Sequence, residues 1–185
     1  SGVAMVHQEL NQCLDRTVTD NLFLGRYPTN FGVIDEHRML KDANKLFASL
    51  TMNVNPNTVM RTMSVSQRQM VEIAKAVSYD AKIIVLDEPT SSLTENEVEK
   101  LFSIVNNLKK KGVSFVYISH KMEEILKISD EITVMRDGKY IATKSAKEIT
   151  MDEIIRLMVG RELTKLYPEK KHGLGDEWLK IDSLS

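Results

Sequence analysis

Ile83-Ile84-Val85-Leu86-Asp87-Glu88-Pro89 is an apolar run that ends in two adjacent carboxylates and a proline. Unbroken apolarity of that length predicts a strand buried on both faces, as in a parallel sheet. Open sheets of this kind place their ligands beyond the carboxyl ends of the strands, which is where Asp87 and Glu88 fall. Adjacent strand residues point opposite ways, so the two carboxylates take different tasks. One suits a Mg²⁺ ion, which keeps several of its waters. The other suits an attacking water, to be oriented or deprotonated. An isolated Asp-Glu pair is more often a solvated strand end, so its surroundings decide.

Downstream, Thr94 and Glu97 fit a capping box, and Val98, Leu101, Val105 and Leu108 repeat at helical spacing. Lys109, Lys110 and Lys111 then favour the negative end of the helix dipole, and Gly112 terminates it. Phe115-Val116-Tyr117-Ile118 is a second apolar strand that ends at Ser119-His120. His120 therefore falls at the same rim as Asp87 and Glu88. A short helix over about 122–128 follows. Arg136-Asp137-Gly138 then joins two strands as a hairpin, and Thr150 with Glu153 opens a last helix ending near Gly160. Residues 161–176 are charged and carry Pro168, Gly173 and Gly175, as a linker does, and Trp178-Leu179-Lys180-Ile181 alternates like a new strand.

Upstream, Ser64 and Gln67 form another capping box, opening a helix with Met70, Ile73, Ala74 and Val77 on one face. Asp35 caps a helix carrying Leu40, Ala43, Phe47 and Leu50, which the Asn53–Asn57 stretch with Pro56 breaks. Gly25 to Asn30 reads as loop, and residues 10–24 show no clean period. Val3 to Val6 is a short strand. Strands alternating with capped helices argue an α/β core with a parallel sheet, interrupted by a mainly helical segment.

Composition narrows the classes further. The 185 residues carry 25 Lys+Arg against 26 Asp+Glu, without the basic excess of a nucleic-acid binder. No apolar run approaches the ~18 residues of a membrane span. Cys13 is the only cysteine, read as a partly buried small side chain, and no internal disulfide can form.

Leu86-Asp87-Glu88-Pro89-Thr90-Ser91-Ser92-Leu93-Thr94 resembles the Walker B segment and D-loop of ABC-transporter ATPases. Ile118-Ser119-His120 resembles their switch-histidine strand, Met63-Ser64-Val65-Ser66-Gln67 their signature, and Val6-His7-Gln8-Glu9 their Q-loop. The order and spacing of all four match. Met63 through Ala76 and Ile118 through Ile125 are similar to the first ATPase half of double-domain monosaccharide importers. Gly25-Arg26-Tyr27-Pro28-Thr29 points on to the galactose/methyl-galactoside branch.

The resemblance implies a P-loop NTPase (RecA-like) core with the ABC helical subdomain. Residues 1–9 would be the end of a core strand and the Q-loop, 10–78 the helical subdomain, and 79–160 the second half of the core. A linker over 161–176 would lead to the first strand of a second ATPase domain at 177–185. It implies ATP and Mg²⁺, with Glu88 and His120 as the catalytic pair and Asp87 with Gln8 toward the metal. Gln8, Ser64, Val65, Ser66, Gln67 and Ser91 would contact nucleotide. The implied partners are transmembrane permease subunits, indirectly a sugar-binding protein, and a second ATPase domain of the same chain or a second copy, with no nucleic acid. The implied place is the cytoplasmic face of the membrane.

Three departures qualify this. No Gly-x-x-x-x-Gly-Lys-Ser/Thr segment occurs among the 185 residues, so the chain reads as a piece that would not hold ATP alone. Val65 and Ser66 stand where two glycines are usual, and Thr94 where an Asp is common. A non-transport ABC ATPase and a binding fragment without turnover are the competing readings.

Overall fold

The computed structural model describes residues 2–160, in two compact units that divide after Asp130. The expected linker and the strand at Trp178 lie outside the described residues.

The first unit is built on a parallel sheet of β1 (Val3–Val6), β4 (Ile83–Asp87) and β5 (Ser114–Ile118), in the order β1-β4-β5. Val6 lies beside Leu86, and Leu86 beside Tyr117. The register therefore aligns the carboxyl ends of all three strands. Helices α3 (Val65–Val77) and α4 (Glu95–Lys110) pack on β1 and β5 respectively. Val6, Ile84 and Leu86 join Val71, Ala74, Leu101 and Val105 in one core. Burying a side chain of this kind contributes about 1.5–3 kcal/mol.

The expectation of a strand buried on both faces is not met. Val3, Met5, Ile83, Val116 and Ile118, on the opposite face, are 39–54% exposed. Among the described residues the helices cover one face only. Apolarity sets strand length, but it cannot say whether a second layer is present.

Between β1 and β4 the chain is helical, with differences in detail. Where no period was visible, Thr17 opens α1 (Val18–Phe23) with a complete capping box to Asp20. Thr29–Asn30 (β2) is a strand rather than loop, paired antiparallel with Val33–Ile34 (β3). Phe31 and Gly32 both take positive φ at this hairpin's turn, as a two-residue type I′ turn requires. In α2 (Glu36–Ser49), capped by Asp35, the buried residues are Met39, Ala43 and Phe47, so Met39 rather than Leu40 leads the buried stripe. Cys13 is exposed, not partly buried. Its backbone is held by Asn21, whose side chain accepts from Cys13 N at 2.8 Å and donates to its carbonyl at 3.0 Å.

After β5, α5 (Met122–Ile128) closes the first unit. The second unit is a hairpin, β6 (Glu131–Arg136) and β7 (Lys139–Ser145), with α6 (Met151–Val159) packed on β6. Asp137 and Gly138 supply the positive-φ turn. Arg136 Nη1 donates to the Leu157 carbonyl at 3.1 Å, and its guanidinium lies where a Cβ on Gly160 would sit.

Candidate functional site

The parallel register brings three predicted residues to one rim. Gln8 is exposed just beyond β1, Glu88 follows β4, and His120 follows β5. His120 Nδ1 lies 2.8 Å from Glu88 Oε1. An ionised carboxylate only accepts, so Nδ1 carries the proton, and Nε2 of this largely exposed ring is left for another partner. Glu88 Oε2 is buried and has no hydrogen-bond partner among the described residues. Leaving such an oxygen unmatched costs about 1–3 kcal/mol.

The sequence predicts Glu88 as a strand residue opposite in direction to Asp87. The strand instead ends at Asp87, and Glu88 turns out of it with φ 46°, in the left-handed region. A residue with a Cβ pays about 1–3 kcal/mol to stay there. Its N–H donates to the Ile118 carbonyl at 2.9 Å, which fastens the turn to the end of β5. Asp87 is half-buried, on the sheet face of Val85 and Ile118. The described residues contain no cluster of three or more His, Cys, Asp or Glu able to hold a metal unaided. A Mg²⁺ ion taking one carboxylate, with water and phosphate oxygens completing its shell, fits this donor set.

A polar network stands behind the rim. Thr90, fully buried, donates its hydroxyl to Glu124 Oε2 at 2.7 Å, and Tyr117 donates its phenol to the same oxygen at 2.8 Å. Lys121 Nζ lies 3.1 Å from Glu124 Oε1 and 3.2 Å from the Thr90 carbonyl. Burial first, and then the adjacent Glu124, push the Tyr117 phenol well above its ordinary pKa. Sequence reading missed this cluster. Its members come from three segments and follow no local pattern, so no signal in the chain marks them. Ser91, predicted as a nucleotide contact, is exposed in the loop after Thr90.

The predicted signature residues lie at the start of α3. Ser64 Oγ accepts from Gln67 N at 3.2 Å, and Gln67 Oε1 accepts from Ser64 N at 3.0 Å, completing the capping box. Ser66 Oγ is 3.0 Å from Ser64 Oγ, and Val65 is 49% exposed. At the start of α4, the Glu97 carboxylate accepts from Thr94 N and Thr94 Oγ1, each at 2.9 Å. The Thr94 backbone bond is the main cause holding Glu97 below the usual carboxylate range, and the Ser66 hydroxyl contributes. Among the described residues, no hydrogen bond joins Ser64–Gln67 to Glu88 or His120.

Comparison with known proteins gives this arrangement a context. The family model described as ABC transporter matches residues 1–91. The galactose/methyl galactoside import ATP-binding protein MglA of Treponema denticola is 68% identical over 184 residues, covering 100% of this chain and 37% of that protein. The protein of the same name from Treponema pallidum is 63% identical over 185 residues, again with 37% of its length covered. The chain thus spans little over a third of the relatives it matches. Among solved structures, a nucleotide-free ATP-binding cassette from an ABC transporter superposes with a TM-score of 0.68 at 24% identity, over 86% of this chain and 65% of that one. That likeness shows the α/β cassette fold with its parallel sheet.

Proposed function

Because the chain is a close relative of ABC transporter ATP-binding proteins over its whole length, we propose that it forms part of an ATPase subunit that drives uptake of galactose, methyl galactoside or a similar monosaccharide. The observation that carries the chemical half of this reading is the buried, unmatched Oε2 of Glu88, with His120 on the other carboxylate oxygen. A water donating to Oε2 would be oriented and polarised for attack on phosphate. His120 holds the carboxylate still through Nδ1–H and turns its free edge outward, toward where a terminal phosphate would lie. Asp87 and Gln8 would hold Mg²⁺ through its waters, and the ion when bound would neutralise phosphate charge. Positioning and charge stabilisation account for most of the acceleration of phosphoryl transfer, so these residues need only hold their places.

Ser64–Gln67 and Ser91 would serve a nucleotide held by a second ATPase domain or a second copy. Val65 and Ser66 put side chains where glycines would allow closer approach, yet the helix start keeps backbone N–H groups facing outward. Residues 10–78 would form the helical subdomain and the contact with the permease subunits, with a sugar-binding protein acting through them. The exposed Phe31, Val33 and Ile34 of the β2–β3 hairpin support that placement. No described helix is long and apolar enough to cross a membrane, which suits a subunit docked on the cytoplasmic face.

The test is Glu88→Gln in the full-length protein. MgATP binding should persist while single-turnover hydrolysis at this site is lost, because an amide keeps the shape but cannot act as base. Hydrolysis at the wild-type rate would overturn the assignment of Glu88. Cross-linking of the assembled transporter that found no permease contact within 10–78 would overturn the docking assignment.

A further inference from the structure

We propose that Glu124 is a positioning residue for the Glu88–His120 pair, clamping the segment after Glu88 to the segment after His120; this rests on the reading of Glu88 as the group that activates water. The clamp has a direction. Thr90 has one hydroxyl proton and spends it on Glu124 Oε2 at 2.7 Å, so at the 3.3 Å contact with Lys121 Nζ it accepts. Tyr117 donates to the same Oε2 at 2.8 Å. Lys121 donates to Glu124 Oε1, 3.1 Å away. Two hydroxyls and an ammonium therefore converge on one carboxylate, and among the described residues Glu124 is the carboxylate that all three contact. Its side chain is 13% exposed and Thr90 is fully buried, so water does not readily substitute for it.

The chain path explains why this reaches the rim. Thr90 lies two residues past Glu88, and Lys121 directly follows His120. Glu124 sits in the first turn of α5, the helix that this same segment opens. The left-handed backbone of Glu88 persists only if its surroundings over-determine it. The tethers are the Glu88 N–H on the Ile118 carbonyl, Thr90 on Glu124, and Lys121 Nζ on the Thr90 carbonyl, with Lys121 itself held by Glu124. With the Glu124 carboxylate gone, the second is lost and the third loses its anchor, so the turn can relax toward ordinary φ and the Glu88 carboxylate moves off His120. Glu124 touches neither reacting atom in this scheme; it acts through where Glu88 stands.

The experiment compares variants of the full-length protein by kcat and KM for MgATP hydrolysis. Glu124→Gln gives the converging donors an amide that presents donors of its own. Thr90→Val removes the hydroxyl at nearly constant volume. Each should lower kcat about 10- to 100-fold, the effect of displacing a reacting group by about 1 Å. KM for ATP should stay within about twofold, since binding is not what is lost. Thr90→Ser should restore most of what Thr90→Val loses. On a Glu88→Gln background, Glu124→Gln should cause no further fall. Normal turnover in both Glu124→Gln and Thr90→Val, with Glu88→Gln inactive, overturns the clamp and leaves the reading of Glu88 standing. A loss confined to KM, or one that adds fully to Glu88→Gln, also overturns it. Wild-type turnover in Glu88→Gln overturns both.

Discussion

The sheet rim and the start of α3 are both expected to face nucleotide, yet they are built on opposite physical lines. At the rim, Glu88 holds a left-handed backbone, leaves one buried carboxylate oxygen unmatched, and depends on a buried network behind it. At the helix start, Ser64 and Gln67 satisfy one another in an ordinary capping box, and Val65 is half exposed. The first region spends stability to keep a group ready, and the second gains stability from the residues that would bind. Residues of the first kind should trade activity against stability, whereas those of the second kind should show the two falling together or stability alone falling.

The largest effect expected is at Glu88. In the full-length protein Glu88→Gln should lower turnover by about 10²–10⁴-fold, the range for loss of a general base. Its thermal midpoint should be unchanged or higher, because one buried oxygen of the carboxylate has no hydrogen-bond donor among the described residues. A clear fall in midpoint would erase the contrast by showing the rim to be structural. Next is Ser64→Arg, which places a long cation at the helix start. Transport should be blocked if a second domain closes there over its nucleotide, and normal transport would reduce the segment to a cap. Ser64→Ala sharpens the same point. Loss of the cap should cost about 1 kcal/mol in denaturant unfolding, with hydrolysis much less affected.

The smallest effect concerns Glu97, beside Ser66. Its folded pKa lies below the ordinary value, so its contribution to stability is present above the unfolded pKa and is lost as pH falls through the folded one. Glu97 is half-buried at the protein surface, where solvent screening keeps the effect small. Glu97→Gln should remove that part of the acid dependence, read from unfolding curves between about pH 5 and pH 3. An unchanged curve would mean that the Thr94 contact does not persist in solution.

Much of this was legible in the chain because the deciding signals are local. The capping boxes at Ser64 and Thr94, the stop at Gly112 and the Asp137-Gly138 turn each need only a few neighbouring residues. What escaped depends on distant partners. Helix α1 is six residues long, too short to show a period. The backbone around it is held by the 56–60 stretch, with Val18 N on the Thr58 carbonyl at 2.9 Å and Met60 N on the Arg16 carbonyl at 3.0 Å. Its Thr17–Asp20 box was available in the sequence, but no apolar stripe followed to draw notice. The left-handed turn at Glu88 had no glycine to announce it. The Thr90–Glu124 contact joins two ordinary polar residues that only the parallel pairing of β4 and β5 brings together.

That same pairing has a kinetic consequence. Strand β4 meets β5 through a register that starts at Ile83 with Ser114, but it meets β1 through one that starts at Ile83 with Val3. The second closure spans the whole helical segment, a loop more than twice as long, which adds roughly 0.8 kcal/mol of closure entropy. Contacts that are distant along the chain form late, so β4, α4 and β5 should assemble first, with β1 zipping on afterwards. The rim would then acquire Glu88 and His120 before Gln8. Pulse-labelling hydrogen exchange during refolding should find the amides of Leu86 and Val116, which face across the β4–β5 pairing, protected while those of Ala4 and Val6, which face β4, still exchange.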